Sequence, residues 1–182
     1  MSGNDLWIFG YGSLMWHPEF AHVETSIATL QGYERGFSMR SIHHRGTVAH
    51  PGLVLALDAK EGAACTGLAF RVAPGAHDDT MAMLRERELV SYAYEEKILP
   101  LRLADGRDIE AVTYVIDPAH PQYSGALPLE DQARIIASAH GGRGSNLDYL
   151  MNTHTHLMQL GIEDADISWL ADRVRRLAAK GK

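Results

Sequence analysis

The residues with the clearest chemical potential are acidic ones set among arginines, in Arg85-Glu86-Arg87-Glu88-Leu89. At about 100° per residue, Glu88 projects between Leu84 and Met81, Arg85 borders the same arc, and Glu86 falls on a different side. If that arc is buried, Glu88 is a partly desolvated carboxylate with a raised pKa, fit to act as a general base. The same alternation of Arg and Glu also suits a solvated, salt-bridged face. A second constellation is Gly10-Tyr11-Gly12-Ser13-Leu14, directly after the bulky run Leu6-Trp7-Ile8-Phe9. It is not a dinucleotide fingerprint, because the third glycine would fall at Met15, and not a G-x-S-x-G elbow, because Gly12 directly precedes Ser13. Two glycines at that point either let backbone N–H groups converge on an anion or oxyanion, or make an ordinary turn.

Ten histidines invite a metal reading, but the spacing opposes it. In a helix His154 and His156 point about 200° apart and cannot ligate one ion from one face. His43 and His44, beside Arg45, line either a cleft or a solvated loop. Cys65 is the only cysteine, which rules out an intramolecular disulfide and a thiolate-rich zinc site. Neither a metal nor a cofactor is expected. The run Gly141-Gly142-Arg143-Gly144-Ser145-Asn146 could hold an anion at a helix start, though a C-cap followed by an N-cap accounts for it equally.

These residues must be positioned by a chain of 182 residues, 46% hydrophobic and 22% charged, the composition of one globular domain over residues 1–182. Lys+Arg of 17 against Asp+Glu of 23 gives a net charge of −6, which supplies no field for nucleic acid or anionic lipid and leaves a small molecule as the expected partner. No apolar run approaches the roughly 18 residues needed to cross a bilayer, and no basic region precedes an apolar one near Met1. A soluble, unexported, cytoplasmic protein is expected. Strands are expected over residues 6–9, 28–41, 52–58, 65–72, 92–103 and 109–117, the last two joined by a hairpin turn at Asp105-Gly106. Helices are expected over 78–90, 129–139 (stopped at Gly141-Gly142), 146–160 (after Ser145) and 164–180. The fold class is α+β, with a curved, mixed or antiparallel sheet, one inserted helix and a helical C-terminal third.

Taken together, five ordered blocks carry a resemblance. Phe9-Gly10-Tyr11-Gly12-Ser13-Leu14-Met15-Trp16, His44-Arg45-Gly46-Thr47, Arg87-Glu88, Tyr123-x-Gly125-x-Leu127 and Gly144-x-Asn146-x-x-Tyr149-Leu150 resemble the ChaC-like family of γ-glutamylcyclotransferases in order and spacing, over about residues 6–170. The resemblance implies a γ-glutamylcyclotransferase-like fold, a small mixed β-barrel with flanking helices. It also implies conversion of glutathione to 5-oxoproline and Cys-Gly. Other γ-glutamyl amides as substrates, or a non-enzymatic γ-glutamyl- or anion-binding regulator, are the alternatives. By the same resemblance Glu88 is the general base, and Gly10, Tyr11, Gly12, Ser13, Leu14 and Met15 form the γ-glutamyl-binding loop. Arg45 and Tyr149 are further substrate-binding residues, with a core tyrosine the other reading of Tyr149. The implied substrate carries its own nucleophile, so no catalytic Ser, Cys or metal is required. The chain departs from the family pattern at Leu89-Val90-Ser91-Tyr92, which lacks a glycine pair, and at Val48, where proline is frequent. Both departures bear on the leaving-group side rather than on the base.

Overall fold

Bulky and β-branched residues dominate the first two thirds of the chain, and they form strands. The computed structural model describes residues 5–89 and 93–180. Strands β1 (Trp7–Gly10), β2 (His22–Ser41), β3 (Gly52–Val72), β4 (Tyr94–Leu103) and β5 (Asp108–Ile116) close into a barrel in the order β1-β3-β2-β4-β5. β1 is antiparallel to β3 and parallel to β5, whereas β4 is antiparallel to β2 and β5, so the sheet is mixed. Helix α1 (His77–Glu88) is inserted between β3 and β4. Helices α2 (Leu129–Ser138), α3 (Asn146–Gln159) and α4 (Ala165–Lys180) follow, with the two-residue strands β6 (His140–Gly141) and β7 (Gly144–Ser145) between α2 and α3. This is the expected α+β architecture. The expected hairpin is also present, with Gly106 at φ 94° in the turn between β4 and β5, and Ser145 caps α3 by accepting from the Asp148 N–H at 3.0 Å.

Two local expectations need correction. Residues 52–58 and 65–72 are not separate strands but the two ends of the 21-residue β3. A polar run containing glycine signals a turn in the sequence, yet a strand facing water accepts the same composition. Residues 59–62 are exposed, and Gly62, at φ 82°, takes a conformation that a side chain would resist. The other correction concerns Gly141-Gly142, which is not a helix stop: α2 has already ended at Ser138. A Cβ on Gly141 would lie 2.5 Å from the Gly46 nitrogen and 2.6 Å from the Arg45 nitrogen. Close approach of the segment 43–46 is what requires glycine there.

The residues group into two compact units. One comprises Met1–Arg35 and Leu57–His120, the other Gly36–Ala56 and Pro121–Lys182. In the first, Leu84 of α1 joins Ile8, Leu14, Val72, Val112 and Tyr114 in a buried cluster. In the second, α2, α3 and α4 pack on one another and bury Ile136, Leu150, Leu157, Ile167, Leu170 and Val174. Val90, Ser91 and Tyr92, where the family pattern is broken and where a strand was expected to start, lie outside the described residues. Among the described residues no helix is long and apolar enough to cross a membrane.

Candidate active site

The first unit places the segment from Gly10 to Met15 at the end of a fully buried strand. Small residues let the chain turn there. A Cβ on Gly10 would meet the Leu14 Cβ at 3.0 Å, and one on Gly67 of β3 would run into the Gly10 carbonyl oxygen. The turn closes when the Met15 N–H donates to the Gly12 carbonyl at 2.9 Å and the His17 N–H to the Ser13 carbonyl at 2.7 Å. The Leu14 and Met15 side chains are buried. The Tyr11 hydroxyl donates to the Tyr114 carbonyl at 3.0 Å. Arg35, a buried cation, donates from Nε to the Tyr11 carbonyl at 2.7 Å and from a terminal nitrogen to the Thr66 carbonyl. Charge-assisted bonds of this kind fix a backbone more firmly than neutral ones. The segment is therefore a built structure, with more holding it than a simple turn needs.

Glu88 ends α1 one helical turn beyond the buried Leu84, and 18% of its side chain is exposed, whereas Glu86 faces solvent. Burial pushes the Glu88 carboxyl above the ordinary glutamate range, and the Arg87 guanidinium, 3.6 Å away, pulls it back by less. Arg87 does not simply pair with Glu88. One terminal nitrogen donates to Ser13 Oγ at 2.9 Å and the other to the His17 carbonyl at 2.8 Å, with the exposed Glu19 carboxylate 3.7 Å away. The end of α1 is thus tied to the Gly10-to-Met15 segment beside a largely desolvated carboxyl. A carboxyl whose pKa is raised in this way binds a proton more readily than a free glutamate, the direction a general base needs.

Arg85 takes a different partner from either. It grips Glu96 of β4 with two bonds of 3.0 and 3.1 Å, and Glu96 also accepts the Tyr114 hydroxyl at 3.0 Å. These contacts hold the Glu96 carboxyl below its usual range, the Arg85 bonds contributing most. The Tyr114 phenol is pushed well above its usual range by burial, by its bond to Glu96, and by the charges of Glu96 and Glu88. Sequence periodicity places Arg85 beside Glu88 but carries no signal for Glu96 or Tyr114, which lie on β4 and β5. Arg35 escaped for the same reason, since its partners are backbone carbonyls of the turn after β1 and of β3.

In the second unit, Arg45 lies over the Tyr149 ring, 5.6 Å from its centroid, and donates to the Ser145 carbonyl at 3.2 Å. The Tyr149 hydroxyl accepts from the Leu55 N–H at 3.1 Å, and its half-buried ring meets Phe37 edge-on, so the residue also serves in packing. Asn146 is fully buried, with Oδ1 accepting from the Leu53 N–H at 2.7 Å and Nδ2 donating to the Leu53 carbonyl at 2.8 Å. His44 is held below its ordinary value, first by burial and then by the neighbouring Arg143, His43 and Arg45. Among the described residues no group of three or more His, Cys, Asp or Glu side chains is arranged to hold a metal ion.

A model of the family described as ChaC-like protein matches residues 6–177. The chain belongs to the ChaC-like family. This ChaC-like chain is 37% identical over 175 residues to the glutathione-specific γ-glutamylcyclotransferase of Escherichia coli (strain K12), covering 96% of this chain and 75% of the relative. It is 34% identical over 175 residues to glutathione-specific γ-glutamylcyclotransferase 1 of Homo sapiens, covering 93% and 78% respectively. Its fold is shared with a crystal structure of the γ-glutamyl cyclotransferase specific to glutathione from yeast. That match has a TM-score of 0.84 at 22% identity and covers 94% of this chain and 96% of the other. The five sequence blocks and the family model thus lead to the same family.

Proposed function

We propose that this chain is a glutathione-specific γ-glutamylcyclotransferase, with residues 1–182 acting as one γ-glutamylcyclotransferase-like domain. The α-amine of the glutamyl unit attacks its own γ-carbonyl carbon. A C–N bond forms within the new ring, and the bond to the cysteinyl nitrogen breaks. The products, 5-oxoproline and Cys-Gly, together contain all the atoms of glutathione. Two protons leave the α-ammonium as it becomes the lactam N–H, and two reach the departing nitrogen, which leaves as an ammonium; Glu88 takes each in turn and passes it on, so the carboxylate is regenerated. The segment Gly10 to Met15 holds the glutamyl unit folded for ring closure, where correct orientation can supply an effective molarity of about 10⁵ to 10⁸ M. Arg45 and Tyr149 are assigned to substrate binding on the family pattern, and the Arg45 guanidinium suits a carboxylate.

One observation carries this reading: Arg87, next to the largely desolvated Glu88, donates to Ser13 Oγ at 2.9 Å, which couples the base to the loop. A small-molecule substrate accords with the net charge of −6, and a cytoplasmic location accords with a single cysteine, Cys65. Incubation of the purified protein with glutathione is expected to yield 5-oxoproline and Cys-Gly in equal amounts. At equal concentration, γ-glutamyl-alanine and γ-glutamyl-lysine are expected to react at least tenfold more slowly, which needs only about 1.4 kcal/mol of transition-state preference. Faster turnover of either dipeptide would assign a broader cyclotransferase, and no 5-oxoproline from any of the three would contradict an enzyme.

A further inference from the structure

Within α1, Arg85 and Glu88 stand three residues apart, the spacing at which helical side chains are neighbours and at which an arginine and a glutamate ordinarily pair. They do not pair here. Two of the three Arg85 guanidinium nitrogens, Nε and one terminal nitrogen, donate to Glu96 on β4, at 3.0 and 3.1 Å. Tyr114, from β5, senses the charge of Glu88, yet its hydroxyl donates to Glu96 at 3.0 Å. A cation and a hydrogen-bond donor that could both stabilise an ionised Glu88 are therefore occupied by a second carboxylate.

We propose that Glu96 is a positioning residue for the base: by gripping Arg85 and Tyr114 together, it keeps both off the Glu88 carboxyl. The inference rests on the reading of Glu88 as the base. Among the described residues, Arg87 lies 3.6 Å from Glu88 with Glu19 beyond it, Arg85 stands three residues earlier on α1, and Tyr114 of β5 feels the Glu88 charge; Arg85 and Tyr114 in turn both contact Glu96 of β4. Leu84, one helical turn before Glu88, is buried in an apolar cluster with Ile8 and Val72. Among the described residues Arg87 is the cation that pairs with Glu88, at 3.6 Å, and its two terminal nitrogens donate to Ser13 and His17. Without Glu96, Arg85 is released one helical turn from the base. The carboxylate form of Glu88 then becomes easier to reach, and a weaker base results.

The test is the pH dependence of kcat/KM for glutathione, in which substrate ionisations are common to every variant and cancel in the comparison. Glu96→Gln keeps the shape and removes the charge; its acid limb is expected to move down by about half to one pH unit, with a lower plateau. Arg85→Gln leaves the Glu96 anion without its arginine, and its limb is expected to move up. The double variant is expected to return to the wild-type position. Arg85 is largely exposed and Tyr114 keeps its acceptor in that variant, so folding is not threatened and Arg85→Gln stands as a test even if Glu96→Gln proves unstable. A purely structural role would lower activity without moving the limbs in opposite directions. Coincident limbs, limbs that shift the same way, or a double variant that keeps the Glu96→Gln shift would each overturn the proposal. Full activity in Glu88→Gln would instead overturn the assignment of the base, so the two failures are separable.

Discussion

Arg87 and Ser13 meet through a 2.9 Å hydrogen bond between a guanidinium nitrogen at the end of α1 and a hydroxyl in the turn that follows β1. They are 74 residues apart in the chain. The bond joins the helix that carries a buried carboxyl to the glycine-containing segment proposed to hold the glutamyl unit.

Arg87→Lys keeps a positive charge but cannot donate to Ser13 Oγ and the His17 carbonyl with a planar fork. Loss of alignment between loop and base is expected to lower kcat/KM about 10- to 100-fold, with a melting temperature near that of wild type. Because Arg87 draws the Glu88 pKa down, Arg87→Gln is expected to move the acid limb of the pH profile upward. Steady-state kinetics across pH checks both. Wild-type kcat/KM in Arg87→Lys would remove the fork from the account.

Glu88 also leaves a signature in stability. Its folded pKa is raised by burial, so the folded state binds this proton more tightly than the unfolded chain does. Its favourable contribution is complete below the ordinary glutamate value and is lost as pH rises through the raised folded value. Glu88→Gln is therefore expected to melt near wild type in acid and progressively above it as pH is raised through that window. Thermal melts of both proteins at a series of pH values measure the difference. A gap that shrinks with rising pH would show that the carboxyl is not destabilised by burial.

Asn146 offers a test in the second unit that is independent of the chemistry. Asn146→Ala strips the Leu53 N–H and carbonyl of their partners in a site with no access to solvent. Leaving two buried backbone groups unpaired is expected to cost about 2–4 kcal/mol. Chemical denaturation measures it. A loss under about 1 kcal/mol would mean that other groups satisfy Leu53.

What the sequence conveyed follows from how local each feature is. The inward aspect of Glu88 was legible because Leu84 lies one turn earlier in the same helix, and the capping role of Ser145 because its partner, Asp148, is three residues away. The Asp105-Gly106 turn was legible for the same reason. β3 was not, because the exposed run at residues 59–62 has the composition of a loop, and only its pairing within the barrel reveals a strand. Gly141 was read as a helix stop because nothing nearby in sequence announces the approach of residues 43–46. Arg35, Glu96 and Tyr114 were invisible as members of the site, since each acts on a residue of another element. The order of the five motif blocks revealed the family where periodicity gave only an α+β chain.

A largely desolvated glutamate moves the proton while the substrate's own amine does the bond-making, so the decisive variant is Glu88→Gln. The variant keeps the side-chain shape and cannot accept the proton. Turnover of glutathione to 5-oxoproline, followed by product quantification under saturating substrate, is expected to fall by about 10²- to 10⁴-fold. Folding and calorimetric affinity for 5-oxoproline should stay near wild type, and Glu86→Gln, on the exposed side of the same helix, should retain nearly full activity. Near-normal turnover by a folded Glu88→Gln protein would contradict the account.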